Sequence, residues 1–195
     1  MTPVHAIYLL WCVWLLSWMV AALWSNRTEK RAGLGTELVF RVLIYLGSIL
    51  LFAFPLRHDF YAQVQLWNLG DALSWILVAL TIAGFSFAWW ARIHLGRLWS
   101  DWGVTKKVGH HVVDSGPYRL VRHPIYSGLI LAAFATALAK GTSFAVLGAA
   151  LIALALYIKA RREERFLRAE LDENAYEAYS RRTAMLVPFV GIRDS

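Results

Sequence analysis

Apolar residues collect along the chain into five runs, at 4–24, 38–56, 72–91, 125–139 and 143–158, separated by polar stretches rich in charge. A helix needs ~20 residues to cross the hydrocarbon of a bilayer, within a range of about 17–25. The first three runs meet that length. The last two reach it only with their flanks, a turn from 122–124 for the fourth and a turn from Lys159 onward for the fifth; a re-entrant hairpin is the alternative for that pair. The first run has no basic segment ahead of it and exceeds the ~7–15 apolar residues of a signal peptide, so it reads as a retained transmembrane helix. The pattern predicts an all-α polytopic membrane protein of about five transmembrane helices, one membrane domain over 1–195.

The polar stretches differ from one another. Those at 57–71 and 140–142 are short, whereas 92–124 is long and rich in polar and aromatic residues. The tail opens with Lys159-Ala160-Arg161-Arg162-Glu163-Glu164 and carries Leu167 and Leu171 four residues apart, which predicts an amphipathic helix on the membrane surface or against the long loop. That helix should fray near 172–174, and a second short helix carrying Tyr176 and Tyr179 should end before Pro188.

Composition supports a second solvent besides water. The chain is 58% hydrophobic with a mean hydropathy of +0.48, against roughly 45–50% apolar for soluble domains. Net charge is +7, from 20 Lys and Arg residues. Three fall between the first two runs, six between the third and fourth, and eight after the fifth. With five crossings these segments share one side, and the positive-inside rule makes that side cytoplasmic, with the N-terminus outside. Basic charge bordering lipid suits anionic headgroups rather than nucleic acid. Cys12, the single cysteine, excludes an intrachain disulfide and a cysteine-based zinc site.

Candidate chemistry concentrates at GPYRLVRHPIYSG, residues 116–128. Between His110 and Tyr126 lie three histidines, two tyrosines and two arginines. A proline at the first position of a helix, a Gly-Pro turn, an arginine snorkelling to headgroups and an interfacial tyrosine would explain much of this as helix punctuation. The density argues for more. Ionisable groups near the headgroup plane are costly without partners, and Glu163-Glu164 or a ligand of mixed charge would supply them. Metal binding is disfavoured although His94, His110, His111 and His123 are available, because adjacent histidines seldom reach one ion and only Asp114 is near. No Walker, Rossmann or serine-hydrolase motif occurs.

At these residues the chain resembles the isoprenylcysteine carboxyl methyltransferase family, related to the phospholipid methyltransferases. The matching elements are His94-Leu95-Gly96-Arg97, His110-His111-Val112-Val113, Gly116-Pro117-Tyr118, Arg122-His123-Pro124-Ile125-Tyr126, Glu163-Glu164, and the closing Tyr176, Tyr179 and Pro188, together covering roughly 93–190. The resemblance implies S-adenosyl-L-methionine bound between the loop, the start of the fourth helix and the tail. His110, His111, Val112, Val113, Tyr118, His123, Pro124, Ile125 and Tyr126 would line that site, and Glu163 or Glu164 would take the cofactor's ammonium. Candidate catalytic residues are Arg122 and a basic residue before the acidic pair, Lys159 or Arg161, which would approach a substrate carboxylate. Leu171-Asp172-Glu173-Asn174 departs from the family's Phe-Gly-Glu and leaves both choices of register open.

The implied reaction is methyl transfer to a lipophilic or lipid-linked acceptor reaching the site from the bilayer. An ionised carboxylate needs no base, whereas an amine would, and His123 or Glu164 could serve. Trp99, Trp102 or Tyr126 could steady a sulfonium through their ring faces. The alternatives are a phospholipid amine N-methyltransferase, an NADPH-dependent sterol-reductase-like enzyme, and a non-catalytic anchor. Ala132-Ala133 and Gly148-Ala149-Ala150 suit close helix packing or a lipid groove.

Overall fold

No glycine or proline interrupts the chain from Ala149 to Val187, and the basic-acidic stretch after Ile158 consists of good helix formers. The fifth apolar run accordingly does not stop at the membrane edge. In the computed structural model, which describes residues 1–24, 28–31, 37–52, 65–99, 105–107, 112–170 and 173–190, it continues as one helix from Ser143 to Glu170. The first tail helix, expected on the membrane surface or against the long loop, is therefore the far end of this helix. From Ser143 to Glu163 the axis rises ~30 Å, about the thickness of the hydrocarbon core, so the acidic pair emerges at the opposite interface.

The described helices are α1 (Pro3–Ala22), α2 (Leu38–Phe52), α3 (Gly70–Leu95), α4 (Pro124–Lys140), α5 (Ser143–Glu170) and α6 (Glu173–Arg182), with single 3-10 turns at Gly96–Leu98 and Gly116–Arg119. A two-stranded antiparallel ribbon joins β1 (Thr28–Arg31) to β2 (Thr105–Lys107), with Lys30 opposite Lys106. It ties the α1–α2 connection to the long loop without changing the all-helical class. α1, α3 and α5 are long and apolar enough to cross a membrane; α2 and α4, at 15 and 17 residues, are shorter. The second run was expected to reach residue 56, and positions 53–56 lie outside the described residues. Large apolar side chains such as Leu16, Met19, Val20 and Ile49 are more than 60% exposed, a surface suited to lipid. The protein is an integral membrane protein.

Two glycine crossings set the helix spacing. Gly84 of α3 faces Gly128 of α4, and Gly47 of α2 faces Gly148 of α5, both between antiparallel helices. A Cβ on Gly84 would lie 2.5 Å from the Gly128 carbonyl oxygen, and one on Gly148 would lie 2.6 Å from that of Gly47. Small residues allow this approach, and close packing is what holds helices together in lipid. Ala132, Ala133 and Ala149 are fully buried beside these crossings, so packing is their role. α1 adds Ile7, Trp11 and Trp14 against Val78, Phe85 and Ala132, and the Trp11 indole donates to Thr136 Oγ1 at 2.9 Å.

Helix ends are closed by buried cations. α3 runs past the predicted limit of Ala91 to Leu95, which places Arg92 inside the helix with no exposure at all. Its guanidinium donates to the carbonyls of Gly96 (2.6 Å), Ala21 (2.7 Å) and Trp24 (2.6 Å), binding the C-terminal ends of α3 and α1 together. Toward the other end Lys140 donates to the Leu51 carbonyl at 2.6 Å. Helix C-termini carry partial negative charge, which suits both. A left-handed Gly141 (φ 64°) then ends α4 and turns the chain into α5.

Gly128→Ala and Gly148→Ala are expected to destabilise the protein by about 1–3 kcal/mol each, the usual cost of overpacking. The effects should add, since the two crossings share no residue. Thermal unfolding in detergent reads this directly. A Gly128→Ala protein that melts with the parent would show that the α3–α4 crossing is not tight.

Candidate functional site

Pro124 occupies the first position of α4, with His123 as its N-cap. The proline begins the helix, as punctuation predicts. Its neighbours do something else. Arg122 does not snorkel: its side chain is 9% exposed, its Nε donates to Glu164 Oε1 at 2.7 Å, and its Nη1 donates to the carbonyls of Ser180 (2.8 Å) and Thr183. One arginine thus joins the start of α4 to α5 and to the end of α6.

The acidic pair divides its work. Glu164 is 3% exposed and bound by Arg122, with His123 Nε2 3.3 Å from the same Oε1. Glu163 accepts from the Tyr126 hydroxyl at 2.7 Å on Oε1, and its Oε2 lies 3.6 Å from His123 Nδ1. His123 stacks on Tyr126 with ring centroids 5.4 Å apart and planes 4° from parallel. Burial alone would depress the His123 imidazole. Its interactions with Glu163 and Glu164 outweigh burial and hold its pKa above the usual histidine range.

These residues form one end of a cavity of about 540 Å³. Val112, Val113, Tyr118, Arg122, His123, Pro124, Ile125, Tyr126, Lys159 and Glu163 all line it, with Tyr176 and Tyr179 of α6. Glu164 does not. Lys159 Nζ lies 5.4 Å from the Tyr126 ring centre and 5.6 Å from that of Phe40. Arg161 is exposed and off the cavity. Burial keeps the phenols of Tyr118, Tyr176 and Tyr179 well above the ordinary tyrosine range, so they stay neutral. The Tyr179 hydroxyl donates to the Tyr118 carbonyl at 2.7 Å, which pins α6 to the 3-10 turn. His110, His111 and Trp102 lie outside the described residues. His94 sits against Gly116 and shares a hydrogen bond with Ser115 Oγ at 2.9 Å, away from the cavity wall. Among the described residues no cluster of three or more His, Cys, Asp or Glu could hold a metal.

The remainder of the cavity is apolar, and sequence reasoning missed it. Trp11, Trp14 and Trp18 of α1 and Phe40, Ile44 and Phe52 of α2 form its far walls. Their helices are apolar on every side, so periodicity could not reveal which face turns inward. The signal present was tryptophan at 11, 14 and 18, one face of a helix. Trp99 is buried, with the Arg92 guanidinium 4.4 Å from its ring centre and the Trp18 ring perpendicular to it at 5.7 Å. Of the rings proposed for a sulfonium, Trp99 and Tyr126 both line the cavity.

A polar cluster beside the start of α4 thus opens into an aromatic chamber between helices. Residues 76–169 match the isoprenylcysteine carboxyl methyltransferase (ICMT) family. That segment, just under half of the chain, is similar to the family. The matching segment takes in most of α3, the long loop, α4 and nearly all of α5, and so includes His123, Tyr126 and both glutamates; Tyr176 and Tyr179 fall beyond it. The chain is also 34% identical over 124 residues, 63% of its length, to the cobalt-zinc-cadmium resistance protein CzcN of Cupriavidus metallidurans. It spans about half of that curated relative, 53%.

A raised histidine pKa contributes stability that is full below the unfolded value, about 6.5, and is lost as pH rises through the folded value. The thermal midpoint should therefore fall as pH increases above ~6.5, and His123→Gln should flatten that fall. Parallel profiles for the two proteins would place the pH dependence elsewhere.

Proposed function

We propose that this protein is a membrane-embedded methyltransferase that uses S-adenosyl-L-methionine and acts on an anionic group of a lipophilic acceptor. One observation carries the reading: Glu163, oriented by Tyr126, stands at the polar end of a cavity whose other end is an apolar chamber inside the helix bundle. The residues fit such a donor. Glu163 lines the cavity with accepting capacity beyond its bond from Tyr126, which suits an ammonium group. Neutral tyrosines and Val112 and Val113 surround it with aromatic and apolar wall.

When bound, S-adenosylmethionine supplies a methyl group on a sulfonium, whose positive charge disappears on transfer. The chain's part is to hold and orient. Glu163 fixes the ammonium end, His123 and Tyr126 fix Glu163, and Arg122 acts through Glu164 as a positioning residue. Lys159, rather than Arg161, reaches the cavity and holds the acceptor's anionic group. A carboxylate is ionised at neutral pH, so no base is required; rate then depends on alignment and exclusion of water. Lys159 favours an anionic acceptor over an amine, whose charge it would oppose. The distribution of basic residues supports a site at the cytoplasmic interface, in a five-crossing topology with the N-terminus outside. A lipid-tailed acceptor would then approach from the bilayer and the donor from water.

Detergent-purified protein should bind S-adenosylhomocysteine. Glu163→Gln should weaken that binding by about 10–100-fold, the worth of a charge-assisted hydrogen bond, whereas Glu164→Gln should chiefly lower the melting temperature. Absence of binding in the parent protein would defeat the reading. With labelled donor and farnesylcysteine analogues, Lys159→Met should raise KM for carboxylate acceptors more than for uncharged ones. Equal effects on both would remove Lys159 from the acceptor site.

A further inference from the structure

The chain after α6 runs beside the start of α4. Val121 bridges Ala184, the backbone N–H of Arg122 donates to the Ala184 carbonyl at 2.8 Å and that of His123 to Met185 at 3.1 Å, and Ser127 Oγ donates to the Leu186 carbonyl at 2.6 Å. Four residues then form a tight turn closed by Val190 N–H on the Val187 carbonyl at 3.1 Å. Pro188 takes the second position, and Phe189 the third with φ 67°. Such turns favour glycine at the third position, because a Cβ there is strained. Phenylalanine is a poor choice for the turn itself, and within the protein it gains little, being 87% exposed between Val187 at 57% and Val190 at 62%. A strained apolar tip held out from the surface calls for a partner outside the chain.

Its location names the partner. Ser127, where Leu186 is held, begins a stripe on α4 that continues through Leu131, Phe134 and Leu138, all exposed at about 40%. The opposite face of α4 is the buried one, with Gly128, Ala132 and Thr136 against α3 and α1. The stripe therefore faces lipid, and the turn leaves the protein at its interfacial end. We propose that Val187-Pro188-Phe189-Val190 is a membrane-docking tip that inserts into the lipid interface next to α4. The occupant is the bilayer rather than a second copy of the chain or another protein. Because residues 184–186, which lead into the tip, are hydrogen-bonded to Arg122, His123 and Ser127, the depth of the tip in the lipid fixes the height of the α4 N-terminus. This inference requires the membrane reading but not the methyltransferase activity.

Replacing Cys12 by Ser removes the single cysteine and permits labelling at one chosen position. Phe189→Cys and, separately, Val190→Cys are labelled with an environment-sensitive fluorophore and reconstituted in phosphatidylcholine–phosphatidylglycerol vesicles; Glu177→Cys on exposed α6 is the aqueous reference. The tip labels should emit to the blue of the Glu177 label. They should be quenched severalfold more by nitroxide lipids and several times less by aqueous iodide. Water-like emission at both tip positions, open to iodide and indifferent to nitroxide, would overturn the proposal. So would shielding from iodide without nitroxide quenching, which would mean that protein covers the tip. The vesicle measurements read docking whether or not the protein binds S-adenosylhomocysteine, so failure here is distinct from failure of the proposed activity.

Discussion

The site depends on the ion pair between Arg122 and Glu164. Both side chains are nearly buried, and two buried charges are tolerated only when geometry and further hydrogen bonds repay their desolvation. Arg122 meets that condition by also binding the carbonyls of Ser180 and Thr183. The same contact therefore closes α4 on α5 and draws the end of α6 over both. Removing either partner would leave a charge stranded at the membrane edge, where solvation is poorest. The polar half of the cavity exists because this junction holds three segments that meet nowhere else in the sequence.

Around that junction the bilayer sets the dimensions. α5 is ~42 Å long by its residue count, longer than the ~30 Å of hydrocarbon. Its surplus carries the acidic pair into the interface and then supports α6. The glycine crossings bring α4 against α3 and α5 against α2, and the aromatic residues of α1 and α2 wall what remains. A chamber lined by Trp11, Trp14 and Phe40 can accept a hydrocarbon chain without leaving polar backbone exposed to it. Polar and apolar halves meet at Tyr126, whose hydroxyl serves Glu163 and whose ring lies near Lys159.

Much of this was legible before any coordinates. The apolar runs located five helices because lipid demands length, and Pro124 located the start of α4 because a helix tolerates proline there. Arg122, His123, Tyr126 and the acidic pair stood out because charge is rare in such surroundings. What stayed hidden depended on direction. Apolarity does not distinguish the inner from the outer face of α1, which only the spacing of its tryptophans marks, and Lys159 and Arg161 are equally basic until the helix is built and one of them turns to the cavity. The end of α5 was misjudged for a related reason: apolarity stops at Ile158, but helix propensity does not.

That distinction also explains why two glutamates stand side by side. Neighbouring residues on a helix point ~100° apart, since 3.6 residues complete a turn. Consecutive carboxylates therefore leave the helix in different directions. At 163 and 164 one direction leads to the cavity and the other to Arg122, and His123 sits between them within reach of both. A single glutamate would have to serve either the fold or the ligand. With the pair, Glu164 balances Arg122 at the junction, which leaves Glu163, held by Tyr126 and His123, facing the cavity.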